Sequence, residues 1–400
     1  MSLSSVHISI ASTCSQYLVR NPKYITAGLM GATKPAALKG LLRRRRNSNS
    51  MDESKNLIFV GDCLQFMEEN RARLLKRIRL IYIDPPYFSG TDYTLKKRGK
   101  GTHKQAPELR ERVTYTDKWA GGLEEYLQFM RERIEAMKPL LREDGSLWVH
   151  VDLHVSHYVK TMLDDIFGES NFVNEIVWRR TNSPKSQSKG FGSQHDNILL
   201  YAKDVTKFET SSVFRKHDEK SLRPYRYKDE RGKFRLIEIE AQGIQRTESR
   251  KQFEWRGRTA PYLYRRETLD RWWNEDRIYR SRNGRYSKKQ YLSEVPGVLV
   301  SDLWLDINPI QGASREYSGF LTQKPLALLE RIIECATNPG DVVADFFGGS
   351  GTTAVAASRL QRAWIMCDVS SVAIDITIRR LSEMDDAHYE LRNSVDSADS

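Results

Sequence analysis

Asp84, Pro85, Pro86 and Tyr87 close an apolar run, "IRLIYIDPPY" (78–87). Such a run reads as a strand buried on both faces of a parallel sheet, and its last residues reach the edge where open α/β folds bind ligands. Each proline fixes φ and removes an N–H, so the preceding carbonyls are left as acceptors with little slack. Asp84 adds a carboxylate acceptor and Tyr87 a flat face able to stack on a base. Two acceptors and a ring suit a planar substrate bearing an exocyclic NH₂. Accepting both N–H bonds would draw the nitrogen lone pair out of the ring and ready it to attack an electrophilic carbon. The plainer reading is a strand-to-loop turn with a capping acid and a stiff Pro-Pro pair.

A second group, "DFFGGSGTT" (345–353), joins an apolar strand to a helix of small residues. Glycines at 348, 349 and 351 permit positive φ and close approach of backbone to a ligand. The helix start that follows offers unpaired N–H groups to an anionic or carboxylate group. Asp368 ends the next strand seventeen residues after Gly351, close to the spacing at which an acid accepts from ribose hydroxyls. No Lys follows the last Gly as in a phosphate loop, and the GxGxxG spacing is absent. The expected ligand is an adenosine with a short charged tail. Both groups in one chain weigh heavily against two unrelated turns.

The elements that must position these groups alternate strand and helix. Strands are expected at 56–62, 78–87, 145–152, 172–180, 196–203, 341–345 and 362–370, with helices over 122–141, up to about 167, 322–340 and 371–381. Residues 88–118 are polar and read as a loop, with Thr102, His103 and Lys104 as candidates to close over a substrate. Asp117 and Trp119 in "YTDKW" read as structural, and His195 in "SQHDN" as a capping or packing residue. Residues 205–300 break the alternation and hold 14 of the 40 aromatic residues, in runs such as "RPYRYK" and "RWWNEDRIYR".

The net charge of +12 is unevenly placed. Residues 1–50 carry eight Lys/Arg and no acid, and 205–300 carry 24 Lys/Arg against 14 Asp/Glu, so the remainder is net acidic. An acidic body with two basic segments fits a catalytic core with nucleic-acid contacts attached. Interleaved Arg and aromatic side chains in 205–300 suit phosphate contact with stacking, although some, such as Trp272 or Trp273, are expected in a local core. Cys14, Cys63, Cys335 and Cys367 lie far apart without metal spacing and read as reduced thiols of a cytosolic protein; no metal is expected. No apolar run has the roughly 20 residues of a membrane helix.

"DPPY" (84–87) with "FGGSG" (347–351) resembles the amino-group DNA methyltransferases that use S-adenosylmethionine. The order Gly61-Asp62, DPPY, a variable basic region, "QKP" (323–325) and FGGSG is similar to the beta order of that family, which includes solitary enzymes and type III modification subunits. The resemblance covers about 56–204 and 300–382. It implies a Rossmann-like α/β fold: a seven-stranded, mostly parallel sheet with one antiparallel strand, permuted motif order and an inserted target-recognition region. The expected units are a basic arm (1–50), a catalytic half (51–204), the insert (205–300), a cofactor half (301–385) and a polar tail (386–400). Asp84, Pro85, Pro86 and Tyr87 would be catalytic. Phe347, Gly348, Gly349, Gly351 and Thr352 would line the cofactor's methionine side; Asp368 would take its ribose, Asp62 its adenine amino group, Lys324 would sit near its carboxylate, and Asp345 is a further cofactor-binding candidate. The implied activity is methylation of a flipped base in double-stranded DNA, adenine N6 first, by a cytoplasmic, DNA-associated enzyme. A restriction subunit or a second copy of the chain stays open as a further partner. Cytosine-N4 methylation, an RNA or protein-amide methyltransferase, and a non-catalytic DNA-binding subunit stay open as alternatives.

Overall fold

Strand β2 (Ile78–Ile83) is buried at every residue, as its unbroken apolar sequence requires, and lies fifth in a nine-stranded sheet. The computed structural model describes residues 56–94, 113–183, 190–241, 252–384 and 388–394. The other strands of this sheet are β1 (Asn56–Val60), β3 (Leu141–Val151), β4 (Phe172–Arg179), β5 (His195–Ala202), β6 (Leu303–Trp304), β7 (Val342–Asp345), β8 (Ala363–Asp368) and β9 (Tyr389–Asn393). Their spatial order is β6-β4-β5-β3-β2-β7-β8-β1-β9. All pairings are parallel except those of β5 with β3 and β4, so one strand runs against the rest.

Seven strands were expected, and the two additional ones are the edges. β6 has two residues, too few to show an alternation. β9 lies within the stretch expected to be a polar tail, yet it pairs in parallel with β1 from Asn56↔Tyr389 to Val60↔Asn393. Its sequence, "YELRN", is polar because an edge strand is half solvated, and charged side chains there discourage further pairing. The basic arm at 1–50 and residues 102–104 lie outside the described residues.

Helices cover both faces. On one lie α1 (Cys63–Glu69), α2 (Gly122–Met137) and α3 (Ser156–Phe167), packed through Phe66, Met130, Ile134, Val159 and Leu163. On the other lie α4 (Leu326–Ala336), α5 (Thr352–Arg359) and α6 (Ser371–Ser382), packed against Trp148, Trp178 and Trp364. The apolar spacing that predicts α2 corresponds to its buried Tyr126, Met130, Ile134 and Met137.

Between β5 and β6 the chain leaves this body through a narrow neck. Phe214–Arg215 pairs antiparallel with Val298–Leu299, and Val300 N–H donates to the Val213 carbonyl at 3.0 Å. Beyond the neck, Ile278–Arg280, Tyr286–Tyr291, Gly232–Glu238 and Tyr227–Asp229 form a four-stranded antiparallel sheet. A separate core of Ile239, Trp255, Tyr262, Leu269, Trp272 and Tyr286 accompanies it. Inside it, Arg258 holds the buried Glu240 carboxylate with two hydrogen bonds of 2.7 and 2.9 Å.

Candidate active site

The register of β2 against β7 pairs Leu80 with Val343 and Ile81 with Ala344. Adjacent parallel strands therefore bring Asp84 and the glycine turn to the same sheet edge, side by side. This is the crevice at the carboxyl ends of the strands where open α/β sheets bind ligands. β8 and β1 follow in the sheet and add Asp368 and Asp62, and Gly61 N–H donates to the Asp368 carbonyl at 3.0 Å.

At the β2 end, both Asp84 oxygens are engaged. One accepts from the Tyr87 hydroxyl, the other from the Lys324 ammonium, which also stands 5.2 Å from the centre of the Tyr87 ring. Pro85 is buried and Pro86 half-buried. Burial, then the neighbouring Asp84 carboxylate, hold the Tyr87 phenol well above its ordinary range, so its proton stays on. Phe88 follows with a left-handed φ of 60°, a backbone state costing about 1–2 kcal/mol outside glycine. The fully buried Asp117 compensates: its carboxylate accepts from the N–H groups of Tyr87 (3.2 Å), Phe88 (3.0 Å) and Ser89 (2.7 Å) and from the Trp119 indole (2.9 Å). Asp117 and Trp119 thus fix the turn that aims Tyr87, in keeping with a structural role.

Behind Tyr87 runs a buried chain that inspection of the motifs missed. The Tyr82 hydroxyl and His150 Nδ1 are 2.9 Å apart, and His150 Nε2 lies 3.2 Å from Asp196. A carboxylate only accepts, so Nε2 carries the hydrogen and, in the neutral ring, Nδ1 accepts from Tyr82. The His150 ring lies 6.1 Å from that of Tyr87 at a 30° tilt, and Arg180 Nε is 3.1 Å from Asp196. Burial, the largest influence, disfavours the Asp196 anion, but the His150 hydrogen bond together with the nearby charges of Lys324 and Arg180 outweighs it, and the carboxyl titrates below its usual range. The available signal was a polar residue, His150 or Asp196, inside an otherwise apolar strand. His195 is exposed and lies outside the chain.

At the β7 end, two of the glycines serve the protein's own packing. A Cβ on Gly348 would come within 2.3 Å of the Met366 side chain, and one on Gly351, at φ 74°, within 2.5 Å of Thr377. Gly349, at φ 51°, lies under Phe320. Thr352 is buried; its hydroxyl donates to the Lys324 carbonyl at 3.2 Å and accepts from Arg380 at 2.9 Å. The Phe347 ring stands 6.1 Å from that of Phe129. Asp345 accepts from Phe347 N–H (3.0 Å) and the Thr353 hydroxyl (2.5 Å); Asp368 accepts from Gly349 N–H (2.7 Å) and Ser370 N–H (2.8 Å). Among the described residues neither acid has a cationic partner. Burial pushes Asp345 up to about 7 and also raises Asp368. Asp62 differs: it caps α1 through Leu64 N–H at 2.7 Å and binds Arg133 at 2.6 Å, while remaining half exposed.

The residues expected to bind cofactor or substrate therefore share one edge, and Lys324 reaches Asp84 across it. In the insert, Trp272 joins the local core whereas Trp273 is 38% exposed, with Arg256 4.7 Å from its ring centre.

Residues 78–379 match the model of the family described as DNA methylase, N6/N4 type. The chain is 31% identical over 312 residues to the type II methyltransferase M.EcaI of Enterobacter cloacae, covering 77% of this chain and 65% of that one. It is 24% identical to the EcoP15I Mod subunit of a type III restriction-modification enzyme from Escherichia coli, covering 79% of this chain and 58% of that one. The chain thus spans less than two-thirds of the length of both relatives. The crystal structure of an M1.HpyAVI–SAM complex aligns at 18% identity and a TM-score of 0.42, covering 81% of this chain and 98% of the other. With the family model matching most of its length, the chain belongs to the N6/N4 DNA methylase family.

Proposed function

We propose that the protein methylates the exocyclic amino group of a base flipped out of double-stranded DNA, and that the base is adenine, modified at N6. One observation carries the reading: the Asp84–Tyr87 acceptor group and the glycine turn end adjacent parallel strands. The methyl donor is S-adenosylmethionine, which supplies a sulfonium methyl and keeps the C–S electron pair on sulfur.

The residues present fit that donor. Asp345 is buried and Asp368 half-buried, neither has a cation among the described residues, and a positively charged ligand would favour both carboxylates. Asp345, Phe347, Gly348, Gly349, Gly351 and Thr352 would hold its methionine side, Asp368 its ribose and Asp62 its adenine, with Lys324 available to its carboxylate.

At the β2 end, Tyr87 stacks on the extruded base while Asp84 and the Pro85 carbonyl accept its two N–H bonds. Pro86 stiffens the turn. The nitrogen lone pair, drawn out of the ring, forms the new bond to carbon, and the nitrogen then releases one proton. Extrusion costs a few kcal/mol of unstacking, so alignment of nitrogen and methyl does much of the catalytic work. Residues 205–300 are the target-recognition unit: the exposed Trp273 and Tyr264 and the basic charge around them suit stacking and phosphate contact. Asp at the head of DPPY, where Ser is more typical of cytosine-N4 enzymes in the resembling family, favours adenine; cytosine N4 is the second reading. Type III Mod subunits among the relatives make a restriction subunit a candidate partner.

Incubation with labelled S-adenosylmethionine and DNA, RNA and protein substrates, followed by nucleoside analysis, tests this. Label recovered from DNA as N6-methyl-2′-deoxyadenosine is the expected result. N4-methylcytosine would correct the base, and label confined to RNA or protein would overturn the assignment. Sequencing DNA from an unmethylated host expressing the protein gives the site.

A further inference from the structure

Lys324 touches both halves of the site. Its backbone is pinned beside the glycine turn: the carbonyl accepts from Thr352, whose hydroxyl is held by Arg380, and Arg380 also donates to the Ser350 carbonyl at 2.7 Å. The segment before it is rigid. Buried Gln323 accepts from the Ser318 N–H (2.8 Å) and hydroxyl (2.6 Å) and donates to the Glu316 carbonyl (2.8 Å), while Glu316 accepts from Leu326 N–H at 2.6 Å. From this anchor the side chain, only 11% exposed, crosses to the end of β2 and places its ammonium on Asp84 and over the Tyr87 ring.

A nitrogen donating to Asp84 while lying over Tyr87 is what the proposed chemistry asks of the target amino group. Each Asp84 oxygen already holds a partner, the second being the Tyr87 hydroxyl, so an incoming amino nitrogen meets the ammonium in the position facing Tyr87. We infer that Lys324 is a positioning residue that occupies the place of the target nitrogen, and that it leaves Asp84 when the carboxylate of the donor's methionine tail offers its ammonium another anion. The inference rests on the methyltransferase reading. Asp196 is the other acid whose charge reaches Lys324, but it is 97% buried and already bound to His150. An incoming carboxylate at the glycine turn, beside the anchored Lys324 backbone, is therefore the natural alternative partner. Acceptance of the base then becomes conditional on the donor site being filled, which keeps the enzyme from holding an extruded base it cannot modify.

The test uses a duplex that keeps the base sequencing identifies as methylated and carries 2-aminopurine beside it, because 2-aminopurine brightens when the base stacked on it leaves. The full-length protein is titrated with and without S-adenosylhomocysteine, alongside Lys324→Met and Lys324→Gln. Wild type should brighten the probe only with S-adenosylhomocysteine. The variants should brighten it without, binding the duplex about tenfold more tightly than cofactor-free wild type, while their own affinity for S-adenosylhomocysteine falls. A purely structural role for Lys324 would lower both affinities together and would overturn the inference. So would cofactor-independent brightening by wild type, an arm that decides even if both variants fail to fold. Absence of any methylated site would instead remove the methyltransferase reading, a distinct result.

Discussion

The two neighbouring half-sites manage charge in opposite ways. At the β2 end the acid is already matched: Asp84 holds an ammonium and a phenol hydroxyl. At the β7 and β8 ends the acids sit among neutral donors, Asp345 buried and Asp368 half-buried, and desolvation drives both upward in pKa. One half-site holds a cation on its acid, whereas among the described residues Asp345 and Asp368 have none. A ligand-free protein built this way should resist binding at the first and favour a cation at the second.

Removing Asp84 should break the contrast most completely. Asp84→Ala is expected to lower methyl transfer by about 10³-fold or more, with S-adenosylmethionine affinity retained when measured by equilibrium dialysis. Equal loss of both would mean that the half-sites are not separable. Gly351→Ala strikes the other side, where a left-handed φ costs about 1–2 kcal/mol and the new Cβ meets Thr377. Cofactor binding and stability should both fall, and Thr377→Ala in the same chain should restore only part of the steric loss, because the Cβ of residue 377 itself stands 2.9 Å from the new one. A full rescue in calorimetry would show that the backbone conformation costs nothing there.

Asp117→Asn sharpens the comparison by disturbing the aim of Tyr87 alone. An amide keeps one acceptor oxygen and turns donors toward backbone N–H groups, at a cost of about 2–3 kcal/mol. Melting temperature and kcat should fall while cofactor affinity holds. The smallest effect belongs to Asp345. Its folded pKa, raised to about 7, exceeds the unfolded value of 3.8. The protonated form is favoured by folding, so this group's destabilisation sets in as pH rises above about 4 and is complete above about 7. Asp345→Asn should raise the cofactor-free melting temperature by a few degrees at pH 8, with the gain fading towards pH 5. A gain independent of pH would show that the carboxylate is not the source.

Much of the sheet was legible because buried parallel strands are apolar without interruption and their helices carry a stripe. The glycine turn and DPPY were legible because those residue types are rare together and each has a backbone reason. Side-chain partners across the edge were not. Nothing in the spacing of Asp84 and Lys324, 240 residues apart, states that they meet; that follows from β2 lying beside β7 with α4 packed over them. The Tyr82–His150–Asp196 chain was hidden for the same reason, since its members come from three strands. That Gly348 and Gly351 also give room to Met366 and Thr377 was hidden too, because those neighbours come from the next strand and helix. β9 was hidden because an edge strand looks like a tail.

The paired neck at 214–215 and 298–299 has a consequence for inheritance. Chain entry and exit sit one hydrogen-bonded rung apart, so whatever lies between them closes a loop the body already tolerates, at an entropic cost that grows only slowly with length. Under the proposed function, inserts of different size could be exchanged at this stem while the sheet beneath stays intact, so that the site marked could change without a change in the chemistry.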